Sequence, residues 1–374
     1  MEKKRILLMH ITTNSGHHRA SLAIESALKH IACERIEILN IDASNYTNPI
    51  LAKIINKSYM SLIRTRPEVW EYLYDNPKVV KNTQRLRDII HRYNSGKLKT
   101  LLEEFRPHVI ACTQAFPCGM VADYKKTYGF NVPLIGVLTD YVAHSYWIYD
   151  SVDFYVVPSD STRKRLVIEG IPEERIKILG IPISPKFIEK KDKKLIFDKL
   201  NLNGKLPVVL LMGGSQGLGP INKIVNLIYR ITTPFQIIVA CGTNKLLYTK
   251  FLIRKRYYRK PILVLGHVDN IDEIMDISTV IITKPGGLST AEALSKGLPM
   301  IIIRPIPGQE AKNTEFLLKE NVAFKARDEL EVAIFLKELL TNPLKLEQMR
   351  KQALLQSRPN ASLDIADMIL KLVL

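Results

Sequence analysis

A change from a strand pattern to a helix pattern takes place within one short stretch, VIITKPGGLSTAEAL at residues 280–294. An apolar run predicts a strand over 280–283, and a Pro-Gly-Gly turn follows it. We expect Ser289 or Thr290 to open a helix with Glu292 in its first turn. A helix N-terminus attracts anions, so the stretch predicts a diphosphate site with Glu292 on a ribose diol. Compensation of the helix dipole is the alternative explanation for Glu292.

The same alternation of short apolar runs and helical patterns recurs along the rest of the chain. Strands are expected at residues 5–9, 36–41, 108–112, 134–138, 154–157 and 176–179, then at 207–212, 235–240, 262–265, 280–283 and 300–303. Strands that alternate with helices form parallel sheets of βαβ units. The sequence therefore predicts an α/β fold with two doubly wound Rossmann-like domains.

A break in regular structure separates the two series of strands. The run Ile181-Pro-Ile-Ser-Pro185 is followed by a lysine-rich segment, which is typical of a domain boundary. We expect a first domain over 1–184, a second over 185–356, and a C-terminal helix over 357–374 that packs back on the first domain. The 374 residues suit two domains of roughly 100–200 residues each.

The charge and the composition limit which partners and which cellular compartment we expect. The chain has 54 Lys+Arg and 37 Asp+Glu, a net charge of +17, which predicts an anionic partner: nucleic acid, an anionic membrane or a phosphorylated substrate. Its four scattered cysteines fit a reducing cytosol. No stretch approaches the roughly 20 apolar residues that span a bilayer. We expect a cytoplasmic protein whose membrane contact is peripheral.

Basic and aromatic residues concentrate in residues 48–100, which have eleven Lys+Arg against four Asp+Glu. Basic residues beside Trp and Tyr suit the headgroup layer of an anionic membrane. The expected membrane and acceptor contacts are Lys53, Lys57, Arg64, Arg66 and Trp70. A solvated helical insertion with its aromatics turned inward is the alternative. A second basic run, Lys245–Lys260, has seven positive and no acidic residues.

Two further loops follow predicted strands, at the edge where parallel sheets bind ligands. The first, TTNSGHHRAS at 12–21, places His17 where an imidazole can act as a general base; a helix-capping or merely exposed histidine is the alternative. The second, GGSQGLG at 213–219, resembles a phosphate-binding turn but matches neither G-x-G-x-x-G nor a P-loop. Nicotinamide cofactors are therefore disfavoured.

No Asp-x-Asp pair occurs in the chain, so a metal-bridged diphosphate is not supported. Backbone amides and helix dipoles would have to neutralise a leaving diphosphate. We expect neither a metal ion nor a cofactor, and a nucleotide-sugar as the substrate of the loops near 286 and 309.

In combination these motifs resemble the monogalactosyldiacylglycerol synthases and the processive diacylglycerol glucosyltransferases of bacteria, over nearly the whole chain. The motifs that carry the resemblance are SGHHRAS (15–21), Thr139-Asp140 with His144 and Trp147, GIPI (180–183), GG (213–214), GHV (266–268), KPGG (284–287), AEA (291–293), GLP (297–299) and PGQE (307–310). The resemblance implies a GT-B fold whose two domains face a cleft, as in the lipid II N-acetylglucosaminyl transferase.

The resemblance also implies an activity and its substrates. The donor would be UDP-glucose or UDP-galactose, with UDP-glucose preferred, and the acceptor a diacylglycerol or glycosyl-diacylglycerol. The reaction would be inverting and metal-independent. The enzyme would be peripheral, on the inner face of the cell membrane.

Residue roles follow from the matched positions. His17 matches the catalytic base, and Asp140 and His144 match a polar pair in the first domain. The implied donor contacts are Gly213, Gly214, Ser215, Lys284, Leu288 and Ser289, with His267 and Val268 at the uracil, Gly286 and Gly287 at the diphosphate, Glu292 at the ribose, and Gln309 and Glu310 at the sugar.

Three other functions stay open at this point. A transferase of the same fold could act on a polyprenyl-linked or other lipid. A non-hydrolysing UDP-N-acetylglucosamine epimerase would need carboxylates poised for elimination, and the first domain offers no such set. A basic nucleic-acid-binding protein is allowed by the net charge, but no recognition motif is present.

Overall fold

The structure is a computed structural model and describes residues 2–13, 15–32, 34–46 and 96–374. The candidate membrane contacts Lys53, Lys57, Arg64, Arg66 and Trp70 lie outside these residues. Among the described residues, no helix is long and apolar enough to cross a membrane.

Two compact units make up the chain. The first consists of Met1–Pro185, Ile306–Gln309 and Arg358–Leu374, and the second of Lys186–Pro305 and Glu310–Ser357. The chain therefore changes unit directly after Pro185, and its last segment belongs to the first unit. The sequence patterns did not predict that residues 306–309 group with the first unit.

The first unit is built on a six-stranded parallel sheet with the order β2-β1-β3-β4-β5-β6. Its strands are β1 (Lys4–His10), β2 (Ile36–Asp42), β3 (Val109–Cys112), β4 (Leu134–Val137), β5 (Phe154–Val157) and β6 (Ile176–Ile178). Alternate residues of β1 enter opposite layers: Ile6 and Leu8 pack in one apolar cluster, Leu7 and Met9 in another. Because both faces are covered, the inner strands β3, β4 and β5 are continuous apolar runs, whereas β2 and β6 at the edges include polar residues.

Helices cover both faces of this sheet. They are Gly16–Ala32, residues 96–105, Ala115–Tyr128, Asp160–Ile168 and Ala361–Val373. The last of these packs against the first: Ile365, Ile369 and Leu370 share a buried cluster with Ile24 and Leu28. The C-terminal helix thus completes the core of the unit that the N-terminal strand begins.

The second unit repeats this arrangement with the strand order β12-β11-β10-β7-β8-β9. Its strands are β7 (Val208–Met212), β8 (Gln236–Ala240), β9 (Ile262–Leu265), β10 (Val280–Thr283), β11 (Met300–Ile303) and β12 (Ala323–Ala326). Its helices are Lys193–Lys199, Ile221–Ile228, Lys245–Arg254, Ile271–Asp276, Gly287–Ser295, Gln309–Lys319, Glu329–Thr341 and Pro343–Gln356. The predicted α/β fold of two doubly wound parallel sheets is confirmed.

The edge strand β12 was not predicted from the sequence. Its four residues, Ala-Phe-Lys-Ala, include an exposed lysine and are buried at the two ends alone, unlike the continuous apolar central strands. An edge strand needs fewer apolar side chains, so it gives a weaker signal.

The packing of the C-terminal helix predicts a stability effect. Replacing the fully buried Ile369 with alanine should lower the free energy of unfolding by about 2–5 kcal/mol, because a cavity is left between two helices. Urea denaturation followed by circular dichroism measures it. Leu374→Ala, at a side chain that is 59% exposed, is the control. An equal, small effect of both changes would contradict this packing.

Candidate functional site

In each sheet the strand order reverses at one point. The reversal lies between β1 and β3 in the first unit and between β7 and β10 in the second. Connections that leave neighbouring strands in opposite directions create a crevice outside their carboxyl ends, and ligands of open α/β sheets bind there. The loop with His17 follows β1, and the two glycine-rich turns follow β7 and β10. The sequence-predicted sites therefore lie at the position that topology favours.

His17 is the second residue of its helix and contacts the ends of two other strands. Its Nδ1 lies 3.0 Å from the carbonyl oxygen of Thr113, after β3, and 2.8 Å from Oγ1 of Thr139, after β4. The Thr113 hydroxyl donates a hydrogen bond to the His17 carbonyl at 2.9 Å. Because a carbonyl oxygen only accepts, we assign the hydrogen of the neutral ring to Nδ1. Nε2 is then the atom that can accept a proton.

Burial keeps the His17 imidazole neutral. It lowers the pKa of His17 below the ordinary value of 6.5, against the opposing effect of the Thr113 carbonyl, and the nearby His10 lowers it further. A neutral imidazole near pH 7 is the form that a general base requires. The structure thus gives His17 both the tautomer and the charge state of a base.

His144 and Asp140 lie on the segment that follows β4. His144 is buried beside Tyr146 and Trp147, with its ring centroid 6.2 Å from that of Trp147. Burial, together with the charge of nearby His17, lowers the pKa of His144 to about 3. The lowered pKa values leave both imidazoles neutral near pH 7. Asp140 is half-buried and follows Thr139, the His17 contact that sequence reasoning missed.

The neighbouring His18 has different surroundings. Its ring stacks on His10 with the centroids 4.3 Å apart, and His10 Nδ1 lies 3.0 Å from the side-chain oxygen of Asn40. Burial and the charge of His18 lower the pKa of His10. The two histidines thus have different surroundings: His17 contacts Thr113 and Thr139, and the His18 ring stacks on His10.

Asp42, at the end of β2, holds the loop that precedes His17. Its carboxylate accepts hydrogen bonds from the Thr13 amide at 3.2 Å and from Ser44 at 2.9 and 2.6 Å. Burial alone would raise the pKa of Asp42, but these hydrogen bonds lower it overall. Thr12 has a φ of +61°, a strained value for a β-branched residue. Strain beside a candidate base, held by a half-buried carboxylate, is typical of a functional loop.

In the second unit the helix after β10 begins earlier than expected. It starts at Gly287 with Gly286 as its N-cap, so the predicted start at Ser289 or Thr290 was wrong. The Thr290 amide already donates to the Gly286 carbonyl at 2.9 Å. Glu292 is therefore not in the first turn, and it is only 5% exposed. Dipole compensation acts within the first turn and does not explain a buried carboxylate one turn later.

Polar contacts tie the turn after β10 to the helix Gln309–Lys319. Lys284 Nζ lies 3.3 Å from Glu310 Oε2, and both side chains are largely buried. Asn313 is fully buried and its amide donates to the Pro285 carbonyl at 3.0 Å. The structure therefore brings together Lys284 and Glu310, two predicted donor contacts, and adds Asn313, which sequence reasoning did not select.

The glycines after β7 have a structural role of their own. The Leu218 amide donates to the Gly213 carbonyl at 2.9 Å, and a Cβ on Gly213 would collide with the Leu218 backbone. Gly214 has a φ of +69°, and the Ser215 carbonyl accepts from the Thr243 amide at 2.9 Å. The fold of this loop therefore accounts for its glycines, and the donor contact remains a prediction.

The remaining predicted donor residues lie on other elements. His267 and Val268 follow β9, the edge strand beyond β8, and the His267 side chain is 43% exposed. Leu288 is buried and Ser289 half-buried in the first turn of the helix, and Gln309 is the first residue of its own helix. Among the described residues, no three His, Cys, Asp or Glu side chains are placed to hold a metal ion.

Sequence families match both halves of the chain. Residues 17–183 match the family described as "Monogalactosyldiacylglycerol (MGDG) synthase", and residues 208–365 match "Glycosyltransferase family 28 C-terminal domain". A processive diacylglycerol beta-glucosyltransferase of Bacillus mycoides is 28% identical over 99% of this chain and 94% of its own. The Bacillus licheniformis enzyme of the same name is 28% identical over 93% of this chain and 90% of its own.

Solved structures show the same fold at low identity. Acinetobacter baumannii MurG has a TM-score of 0.62 and 15% identity over 98% of this chain and 99% of its own. The Anabaena HepE complex with UDP-glucose has a TM-score of 0.57 and 12% identity over 98% of this chain and 99% of its own.

Fold and family matches define the class: this chain is a glycosyltransferase with the GT-B fold. The matches to two families, over residues 17–183 and 208–365, confirm the resemblance seen in its motifs.

The depressed pKa of His144 predicts how stability depends on pH. The unfolded chain binds a proton near pH 6.5 and the folded chain only near pH 3, so acidification in that window favours unfolding. When the pH falls from 7 to 5, the free energy of unfolding should therefore decrease by about 2 kcal/mol less in the His144→Phe variant than in the wild type. Urea denaturation at both pH values measures this difference.

The exposed His30→Gln change controls for the loss of a histidine as such. Identical losses in the wild type and the His144 variant would show that burial does not lower this pKa.

Proposed function

We propose that this chain is an inverting, metal-independent transferase that moves glucose from UDP-glucose to diacylglycerol or a glycosyl-diacylglycerol. The observation that carries the proposal is His17, a neutral imidazole whose Nδ1 is engaged by Thr113 and whose Nε2 is left as the base. The diacylglycerol beta-glucosyltransferases that align with 99% of the chain support the choice of acceptor and sugar. The enzyme needs no cofactor beyond its donor substrate.

The second unit holds the donor. The amides at the start of the helix Gly287–Ser295 take the diphosphate, next to the Lys284 ammonium. Glu292 accepts hydrogen bonds from the ribose diol, and the backbone at His267 and Val268 contacts the uracil. Gln309 and Glu310 contact the sugar, and the loop Gly213–Ser215 closes on the phosphates. Fixed amides and the helix dipole stabilise the charge of the leaving UDP.

The first unit supplies the base. An acceptor hydroxyl has a pKa far above 7, so its proton must leave as the new bond forms. The hydroxyl oxygen attacks the anomeric carbon, the bond to the diphosphate breaks, and UDP leaves with the electron pair. His17 Nε2 takes the hydroxyl proton, and the Thr113 carbonyl stabilises the imidazolium through Nδ1–H. One displacement inverts the anomeric centre, and the proton then passes to water.

The same proposal places the enzyme at an anionic membrane surface, on the inner face of the cell membrane, with no nucleic-acid partner. The contacts at this surface come from four basic side chains and one aromatic side chain: Lys53, Lys57, Arg64, Arg66 and Trp70. Each Lys or Arg near an anionic leaflet contributes about 1 kcal/mol, so a few suffice for reversible attachment. The enzyme then reaches its acceptor lipid while that lipid stays in the membrane.

Incubation with diacylglycerol-containing vesicles and each of UDP-glucose, UDP-galactose and UDP-N-acetylglucosamine tests the proposal. Mass spectrometry of the lipids should show hexosyl-diacylglycerol with UDP-glucose. Transfer only to a polyprenyl-linked acceptor, or formation of an epimerised nucleotide-sugar with no lipid product, would refute it.

The two adjacent histidines provide a matched pair of variants. His17→Ala should reduce turnover about 10²–10⁴-fold, because it removes the general base, while UDP still binds. His18→Ala should reduce turnover much less, since the His18 ring stacks on His10 rather than on the ends of β3 and β4. Steady-state lipid product formation measures both. The reverse order of effects would assign the base to His18, and two active variants would move it to Asp140 or His144.

Glu292 is tested through the affinity for UDP. Glu292→Gln keeps the size of this buried side chain but removes its charge, and a hydrogen bond to a charged group contributes about 1.5–3 kcal/mol. Isothermal titration calorimetry should therefore show at least about tenfold weaker UDP binding. Glu315→Gln, whose carboxylate is 65% exposed, is the control. Unchanged affinity in the Glu292 variant would exclude the ribose contact.

A further inference from the structure

Positive charge dominates the helix Lys245–Arg254 and the turn after it. Residues 245–260 have seven lysines and arginines and no acidic residue. Within the described part of the chain, no carboxylate forms an ion pair with Lys245, Lys250, Arg254, Lys255, Arg256 or Arg259. These cations are therefore not neutralised by carboxylates of the described residues, and they are exposed on the second unit.

Apolar side chains project from the same helix in the direction opposite to the core. Phe251 is fully buried, and Leu247 and Tyr248 pack beside it. The exposed fraction is 87% for Leu246, 61% for Ile253 and 67% for Tyr257. With Lys250, these three residues recur every three or four positions, so they form one face, which we call the Leu246 face.

Tyr257 and Arg256 extend this face beyond the helix. The Arg256 guanidinium lies over the Tyr257 ring at 4.9 Å from its centroid and donates to the Tyr257 hydroxyl at 2.8 Å. Tyrosine, with an apolar ring and a polar tip, suits the boundary between headgroups and acyl chains. The face thus combines cations that suit the lipid phosphates, a tyrosine that suits the headgroup boundary, and aliphatic side chains that suit the acyl chains.

We propose that the Leu246 face binds an anionic lipid surface. The proposal rests on the proposed function, since a transferase with a membrane-lipid acceptor gains from a contact in the unit that holds its donor. Phosphates of a lipid leaflet neutralise the cations, and the headgroup boundary takes up Leu246 and Ile253. A nucleic acid would satisfy only the cations and would leave both apolar side chains in water.

Vesicle binding by the full chain tests this surface directly. The probe is a vesicle of phosphatidylcholine mixed with phosphatidylglycerol, and the readout is the partition coefficient from co-sedimentation. The double variant Leu246→Ser with Lys250→Gln changes two exposed positions one turn apart. The matched control is Leu355→Ser with Lys351→Gln, which have the same spacing on the exposed side of the helix Pro343–Gln356, where Leu355 is 73% exposed.

We expect the Leu246 variant to bind at least about tenfold more weakly, since loss of one cation near the surface alone reduces binding about fivefold. The control variant should bind like the wild type. Equal binding by wild type and the Leu246 variant, or equal losses in both variants, would overturn the proposal. Tighter binding of the wild type to duplex DNA than to these vesicles would overturn it too, in favour of a nucleic-acid surface.

Transfer activity separates this proposal from the proposed function. The Leu246 variant should lose activity towards diacylglycerol in vesicles but keep it towards a short-chain diacylglycerol dispersed as monomers. Loss on both acceptors would show that the face does not act through the membrane. If the wild type transferred sugar to neither acceptor, the proposed function would fail, and the vesicle binding would still decide whether the Leu246 face is a lipid surface.

Discussion

The hydrogen bond from His17 Nδ1 to the Thr113 carbonyl is the interaction on which the proposed chemistry depends. It joins the loops after β1 and β3, the two strands between which the first sheet reverses its order. The carbonyl fixes the tautomer of the neutral ring and also stabilises the ring once it is protonated. Together with the contact to Thr139, it distinguishes His17 from an ordinary histidine at a helix start.

The two units divide the charge requirements of a glycosyl transfer. In the first unit, burial keeps the imidazoles of His17 and His144 neutral. In the second unit, the candidate diphosphate site combines a helix N-terminus with the Lys284 ammonium. Glu310 partly balances the charge of that ammonium. Both sets of groups lie at strand-order reversals, so the same topology serves opposite electrostatic purposes. The same doubly wound architecture thus places the candidate base in one unit and the candidate anion site in the other.

Sequence reasoning predicted the central strands, because parallel strands covered on both faces are mostly apolar runs, but it did not predict the strand orders. It missed β12, where an edge position relaxes that requirement, and it placed the start of the helix after β10 two or three residues late. Gly287 carries no helix signal of its own; the turn at Pro285 and the buried Asn313 amide define the start. It selected His17 but not the residues that orient it, because Thr113 and Thr139 lie 96 and 122 positions further along the chain.

If each unit has one role, the donor nucleotide binds to the second unit. Hydrogen exchange followed by mass spectrometry, with and without saturating UDP, tests this most directly because it reports on backbone amides along the whole chain. With UDP bound, we expect slower exchange in peptides that cover Gly213–Gly219 and Lys284–Glu292, and no change at Thr12–Ser21. Protection confined to Thr12–Ser21, with unchanged exchange at Lys284–Glu292, would contradict it.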